Sequence, residues 1–168
     1  MPEPVQYRGM ALIVPDNDSA WKEFYAAARQ HRLVMRACGA CGLIRYPPSH
    51  ACPGCMSLDW TWREVSGRGT IVSYEIVAHA IQSGFKEWSP YPVVLVELDE
   101  QSGQPTADEG LRIIANLVRA DGRPEVEAQV AIGKRARVTF HDLSADIALP
   151  QFTLADEAPA GRVWSFHG

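Results

Sequence analysis

Four cysteines constrain this chain more than any other feature in it. They stand as Cys38-Gly39-Ala40-Cys41, ten intervening residues, then Cys52-Pro53-Gly54-Cys55, and they are the only cysteines among 168 residues. Two residues between the thiols of each pair is the spacing at which a backbone knuckle turns both sulfurs toward one ion. Gly39, Gly42 and Gly54 relieve the crowding that such turns impose. Four thiolates suit Zn²⁺, with iron as the main competitor, because a rubredoxin-type iron site uses the same four sulfurs. Two disulfides or four core thiols are the alternatives. Disulfides need an oxidising compartment, and the N-terminus carries no secretory-signal pattern.

A four-sulfur site is closed, so it leaves no position for a metal-bound water, and the ion is expected to be structural. A ribbon of this size buries too little apolar surface to fold alone, and zinc binding supplies an apparent ~10–16 kcal/mol. Residues 33–58 are therefore expected to form a metal-dependent ribbon. An N-terminal arm and helix over 1–32 would precede it, and a larger domain over 59–168 would follow. His50 lies close to the sulfurs, but four cysteines complete the shell, so it reads as a neighbour.

Charge narrows the function. The formal net charge is −4, and an acidic chain is a poor candidate for binding polyanions by charge alone. Of the sixteen cations only Lys22, Lys86 and Lys134 are lysines, a bias toward arginine that suits bidentate contacts but also follows from base composition. No apolar run approaches the ~18 residues of a membrane span, so a soluble, cytoplasmic protein is expected.

Residues 1–15 lack a steady period, carry Pro2, Pro4 and Pro15, and read as an extended arm. Asp16, Asn17, Asp18 and Ser19 offer N-caps for a helix through about Arg32. Along it Trp21, Phe24, Tyr25 and Ala28 fall at i, i+3, i+4 and i+7, one aromatic stripe that must be covered by the chain itself or by a partner. Short strands are expected over 33–37 and 43–46, the second ended by Pro47-Pro48. Further strand patterns run over 60–63, 70–77, 93–98, 111–118, 135–140 and 147–154. Residues 66–69 mark a hairpin or a bulge between the first two of these, and 99–110 form a hydrophilic connection. This is a mainly β chain whose larger domain fits a small antiparallel barrel. An OB-fold is the natural candidate, and an SH3-like barrel is not separable by composition.

The order of motifs resembles a known family. The aromatic N-terminal helix, Cys38-x-x-Cys41-Gly42, Tyr46-Pro47-Pro48, Cys52-Pro53-x-Cys55, Trp62, Val65-Ser66-Gly67-Arg68-Gly69-Thr70, Pro90-Tyr91-Pro92 and Ile132-Gly133-Lys134 are similar to the acyl-CoA-associated zinc-ribbon/OB-fold proteins. The resemblance covers roughly residues 20–155. It implies a rubredoxin-like zinc ribbon followed by an OB-fold, acting as a small subunit of a thiolase-superfamily enzyme. Relatives accompany thiolases, hydroxymethylglutaryl-CoA synthases, side-chain-cleaving aldolases of steroid degradation, or hotdog-fold enoyl-CoA hydratases. The insertion 101–108 departs from the shortest family pattern.

Three functional readings follow. The favoured one is a non-catalytic accessory subunit in a hetero-oligomer, docked on a thiolase or aldolase and helping to shape its acyl-CoA channel. The hotdog-fold hydratase partner is the second. The third, a single-stranded nucleic-acid module, would use Trp60, Trp62, Tyr74, Phe85, Trp88 and Tyr91 as stacking platforms; Glu64, Glu75 and Glu87 interleave with Arg63, Arg68 and Lys86 and oppose it. No Gly-x-Ser-x-Gly elbow, phosphate loop or His-Glu-x-x-His motif occurs, and lone His79 and His141 read as packed or solvated groups. Expected partner contacts are Trp21, Phe24, Tyr25, Phe85, Trp88 and Tyr91. Arg36, Arg45 and Arg68 are expected to contact acyl-CoA phosphates if they face the joint site.

Overall fold

The computed structural model describes residues 4–13, 19–159 and 161–166. The chain opens not on an extended arm but on a hairpin, β1 (Val5–Tyr7) and β2 (Met10–Leu12), in register from Val5↔Leu12 to Tyr7↔Met10. Its turn residues Arg8 and Gly9 both have positive φ, 52° and 73°, as tight hairpins of the twisted kind require. The caps expected at Asp16, Asn17 and Asp18 lie outside the described residues. Helix α1 (Ser19–Arg29) follows and ends one turn earlier than the sequence suggests, where His31 adopts a left-handed φ of 56°.

The aromatic stripe of α1 is covered by the chain itself. Phe24 and Ala28 are buried and Trp21 and Tyr25 partly so, with the helix packed on the strands over 33–38, 135–142 and 148–154. Its far end is latched to the barrel. His31 stacks on Phe140 with ring centroids 5.3 Å apart, and both His31 and Arg29 reach the Asp142 carboxylate, at 3.0 and 3.2 Å.

Three strands form the ribbon sheet in the order β4-β3-β5: β3 (Leu33–Cys38), β4 (Ile44–Arg45) and β5 (Trp60–Val65). The two-stranded ribbon expected from sequence thus gains a third strand, paired with β3 from Leu33↔Val65 to Cys38↔Trp60. The second sheet, β10-β9-β6-β7-β8, is built from β6 (Arg68–Val77), β7 (Tyr91–Leu98), β8 (Arg112–Asn116), β9 (Arg135–Asp142) and β10 (Ala148–Leu154). A parallel bridge between Leu117 and Phe152, with the Val118 N–H donated to the Phe152 carbonyl at 2.7 Å, nearly closes it into a five-stranded antiparallel barrel. This is the OB arrangement. Val94, Val96, Leu98, Ile71, Ile113, Leu117 and Phe152 fill its interior.

Strands β5 and β6 are one run of chain that leaves the ribbon sheet and enters the barrel. They do not pair with each other: β5 pairs with β3, and β6 with β7 and β9. The bend is at Ser66-Gly67, where Gly67 has φ 68° and the Val138 side chain occupies the place of a Cβ. The bulge itself lies further on, between Ile71 and Ser73.

Candidate metal centre and docking faces

The two cysteine pairs fold as matching knuckles. In the first, Gly42 N–H donates to the Cys38 carbonyl (2.9 Å) and Cys38 N–H to the Leu43 carbonyl (2.9 Å). In the second, Met56 N–H donates to the Cys52 carbonyl (2.8 Å) and Cys52 N–H to the Ser57 carbonyl (2.9 Å). The turns bring all four sulfurs within 4.8 Å of one another. Cys38 Sγ lies 3.6 Å from Cys55 Sγ, and Cys41 Sγ 3.6 Å from Cys52 Sγ. A tetrahedral zinc with bonds of about 2.3 Å sets its sulfurs about 3.8 Å apart, whereas a disulfide needs about 2.05 Å. The donor set therefore fits a tetrahedral ion and excludes the disulfide alternative. Cys38 and Cys52 are buried, Cys41 and Cys55 exposed.

The protonation of the thiols is uneven. The Cys41 backbone N–H directed at its sulfur holds the Cys38 thiol down to about 6. Burial opposes the shift at Cys52, but the Cys55 and Gly54 N–H groups outweigh it and lower that thiol too. At Cys55 the Ser57 N–H pulls downward, yet the Cys41 and Cys38 sulfurs push it up to about 12. Metal binding must displace the remaining protons, so occupancy is lost in acid.

The ribbon is tied to the barrel by the 99–111 segment, which the sequence shows only as a hydrophilic connection. Gln101 is buried there and grips Ile44 of β4 twice: Ile44 N–H donates to its Oε1 at 2.7 Å, and its Nε2 donates to the Ile44 carbonyl at 2.8 Å. The segment is held in turn by Glu97, which accepts from Ser102 Oγ (2.7 Å), Gly103 N–H (3.2 Å) and Arg112 Nε (2.9 Å). Burial raises the Glu97 pKa, but these donors hold it below the ordinary carboxylate range. A cleft of about 200 Å³ separates this segment from the second knuckle, lined by Arg45, Tyr46, Pro53, Gly54, Glu109 and Arg112 among others. Neither the Gln101 grip nor the Glu97 cradle could be found by motif, because their partners are set by the fold.

The expected contact residues separate into inner and outer groups. Phe24, 2% exposed, belongs to the chain's own core. Arg36 and Arg45, 1% and 4% exposed, are also internal, so their assignment as phosphate contacts is corrected. Arg36 lies over the Trp60 ring at 3.7 Å and near Trp62 at 5.5 Å, with Nη1 donating to the Ser49 carbonyl; Arg45 holds the carbonyls of Ser49 and His50. Both pin the loop that delivers the second knuckle. Arg68 is at the surface and is paired with Glu157. Trp21 and Tyr25 stack on each other, and Trp21 meets Tyr46 edge-on. Phe85, Trp88 and Tyr91 form one partly exposed cluster, covered on one side by Tyr7 and by Arg8, whose guanidinium lies 3.9 Å from the Trp88 ring centroid. The aromatics thus stand in separate groups, Trp60 with Trp62 on β5 and the 85–91 cluster beside the N-terminal hairpin.

A zinc ribbon built into an OB barrel defines the class. The sequence pattern of the ChsH2 rubredoxin-like zinc ribbon domain matches residues 26–61, and that of the ChsH2 C-terminal OB-fold domain matches residues 62–141. The chain belongs to this ChsH2 family of zinc-ribbon/OB-fold proteins. It is 34% identical over 150 residues to a probable enoyl-CoA hydratase alpha subunit of Thermomonospora curvata, covering 89% of this chain and 41% of that protein. It is 28% identical to a DUF35 domain-containing scaffold protein of Methanocaldococcus jannaschii, covering 68% of this chain and 71% of the relative. Among solved structures it superposes on a chain of an Ltp2-ChsH2(DUF35) aldolase with a TM-score of 0.66 and 31% identity, over 83% of this chain and 98% of that one. The centre is a structural zinc site, and no helix among the described residues is long and apolar enough to cross a membrane.

Proposed function

We propose that this chain is a non-catalytic accessory subunit that docks on a thiolase-superfamily acyl-CoA enzyme, an aldolase or thiolase, and helps to shape its substrate channel. The observation that carries this reading is the likeness to a chain of the Ltp2-ChsH2(DUF35) aldolase, which covers 83% of this chain, ribbon and barrel alike. The ribbon is closed around its metal, so its chemistry is to hold shape. Docking would use the outward parts of the aromatic groups, Trp21 and Tyr25 on α1 and Phe85, Trp88 and Tyr91 beside the hairpin, with Arg68 as the surface cation. A second reading, a partner of an enoyl-CoA hydratase, is favoured by the name of the Thermomonospora relative, although this chain spans less than half of that protein.

Co-expression with the thiolase-family and hydratase-family polypeptides encoded nearest to it tests both. The expected outcome is a stable hetero-oligomer with the thiolase-family polypeptide, active on acyl-CoA, and no turnover by the isolated chain. A complex with the hydratase polypeptide alone would establish the second reading. Turnover by the pure chain that disappears with a single His or Asp substitution would overturn both.

A further inference from the structure

Arg45 carries a buried charge that stands in no ion pair among the described residues, although Glu109 lines the same cleft. Its Nε and Nη2 donate to the carbonyls of Ser49 and His50, both at 3.2 Å, and its Nη1 is buried without a hydrogen-bond partner. Among the described residues none of the ion pairs includes it. A guanidinium does not give up its proton, and an isolated buried charge is strongly unfavourable. The zinc centre has the opposite excess, since four thiolates around Zn²⁺ leave a formal charge of −2.

Both belong to the ribbon, and the chain path links them. Arg45 stands four residues beyond Cys41 and opposite Arg36 in the ladder, and Arg36 shares a face of β3 with Cys38, two residues on. The His50 carbonyl that Arg45 holds lies two residues before Cys52, and Arg45 lines one cleft with Gly54 of the second knuckle. Arg36, on the same face, adds a second positive charge.

We infer that Arg45 is the counter-charge of the metal centre, a positioning residue whose guanidinium offsets the negative zinc–thiolate cluster while its hydrogen bonds hold the loop that presents Cys52. The inference rests on the four sulfurs holding zinc. Carbonyl bonding alone would ask only for donors; the buried, unpartnered Nη1 and the lack of a direct ion pair point to the charge.

Zn²⁺ affinity of the full-length chain, measured against a chromophoric chelator for the wild type, Arg45→Lys and Arg45→Met, separates the roles. Arg45→Met is expected to weaken zinc retention about tenfold or more, as loss of an outer partner of a metal site does, and Arg45→Lys is expected to restore most of the affinity. If Arg45→Met retains zinc as the wild type does, the inference fails. If Arg45→Lys loses as much as Arg45→Met, geometry and not charge is at work, and it fails again. Should Arg45→Met not fold, Arg45→Gln, which keeps an amide donor and drops the charge, replaces it under the same two criteria. A wild type that binds no zinc would instead remove the metal reading itself.

Discussion

The two knuckles have the same backbone and different supports. At the position after the second cysteine, both knuckles pass through the left-handed region, with φ 77° at Gly42 and 61° at Met56, and both close the same pair of hydrogen bonds. The first knuckle uses glycine, for which that conformation has no steric cost, and it sits at the turn between β3 and β4. The second uses methionine, for which it is unfavourable by about 1–2 kcal/mol, and lies in a loop with no strand of its own. Met56 and Leu58 are each 72% exposed there. The difference teaches that the first knuckle is shaped by sheet and sequence, whereas the second depends on the ion and on the Arg36 and Arg45 bonds to the 49–50 carbonyls.

The largest test of that contrast is removal of the metal. Chelation should release one Zn²⁺ per chain and remove a contribution on the order of 10 kcal/mol from the ribbon. Amide exchange should then rise first over residues 49–58 and later over 33–45, while the barrel strands stay protected. Simultaneous loss at both knuckles would mean that the sheet gives the first no independent support.

A smaller effect is expected at Gln101, whose side chain supplies the first knuckle's strand with a peptide-like partner. Gln101→Ala leaves the Ile44 N–H and carbonyl buried and unpaired, at a cost of about 2 kcal/mol or more. Chemical denaturation of the zinc-loaded protein should show this loss, with faster exchange at Ile44 and little change at Met56. An equal disturbance at Met56 would show that the knuckles act as one unit.

The smallest change is the exchange of residue types. Met56→Gly should stabilise the zinc-loaded chain by roughly 0.5–1 kcal/mol, because strain is relieved but chain entropy opposes it, and Gly42→Ala should destabilise by about 1 kcal/mol. Thermal melts of both variants suffice. A loss of stability in Met56→Gly would mean that the methionine side chain contributes more than its exposure implies.

How much of this was legible in sequence follows the range of the interactions. The metal centre was, because four identical ligands at fixed spacing name their own geometry. The barrel strands were, through their apolar runs, and so was the stripe of α1, though not which surface covers it: Phe24, expected at a partner, lies in the chain's own core. The N-terminal hairpin was hidden because each of its strands is three residues long, too short for a period to register, and its Arg8-Gly9 turn is marked by a single glycine. The inward course of Arg36 and Arg45 was hidden because arginine in a strand is read as a surface residue, and only their bonds to the 49–50 carbonyls and the cover of Trp60 reverse that. Gln101 reaches across 57 residues to Ile44, and Phe85 meets Tyr7 across a still longer span; no local pattern encodes such meetings.

The run from β5 into β6 has a practical consequence. The two family domains meet between residues 61 and 62, which is inside β5, on a strand whose whole length is paired with β3. A cut there leaves the ribbon with a truncated edge and the barrel with a frayed overhang carrying Trp62 and an unmatched row of amides. Gene fragments made at that junction are poor modules, and insertions or fusions belong elsewhere, on the exposed 120–123 loop. Ribbon and barrel are named as two domains, but for anyone who cuts, tags or transplants this protein they share one beam.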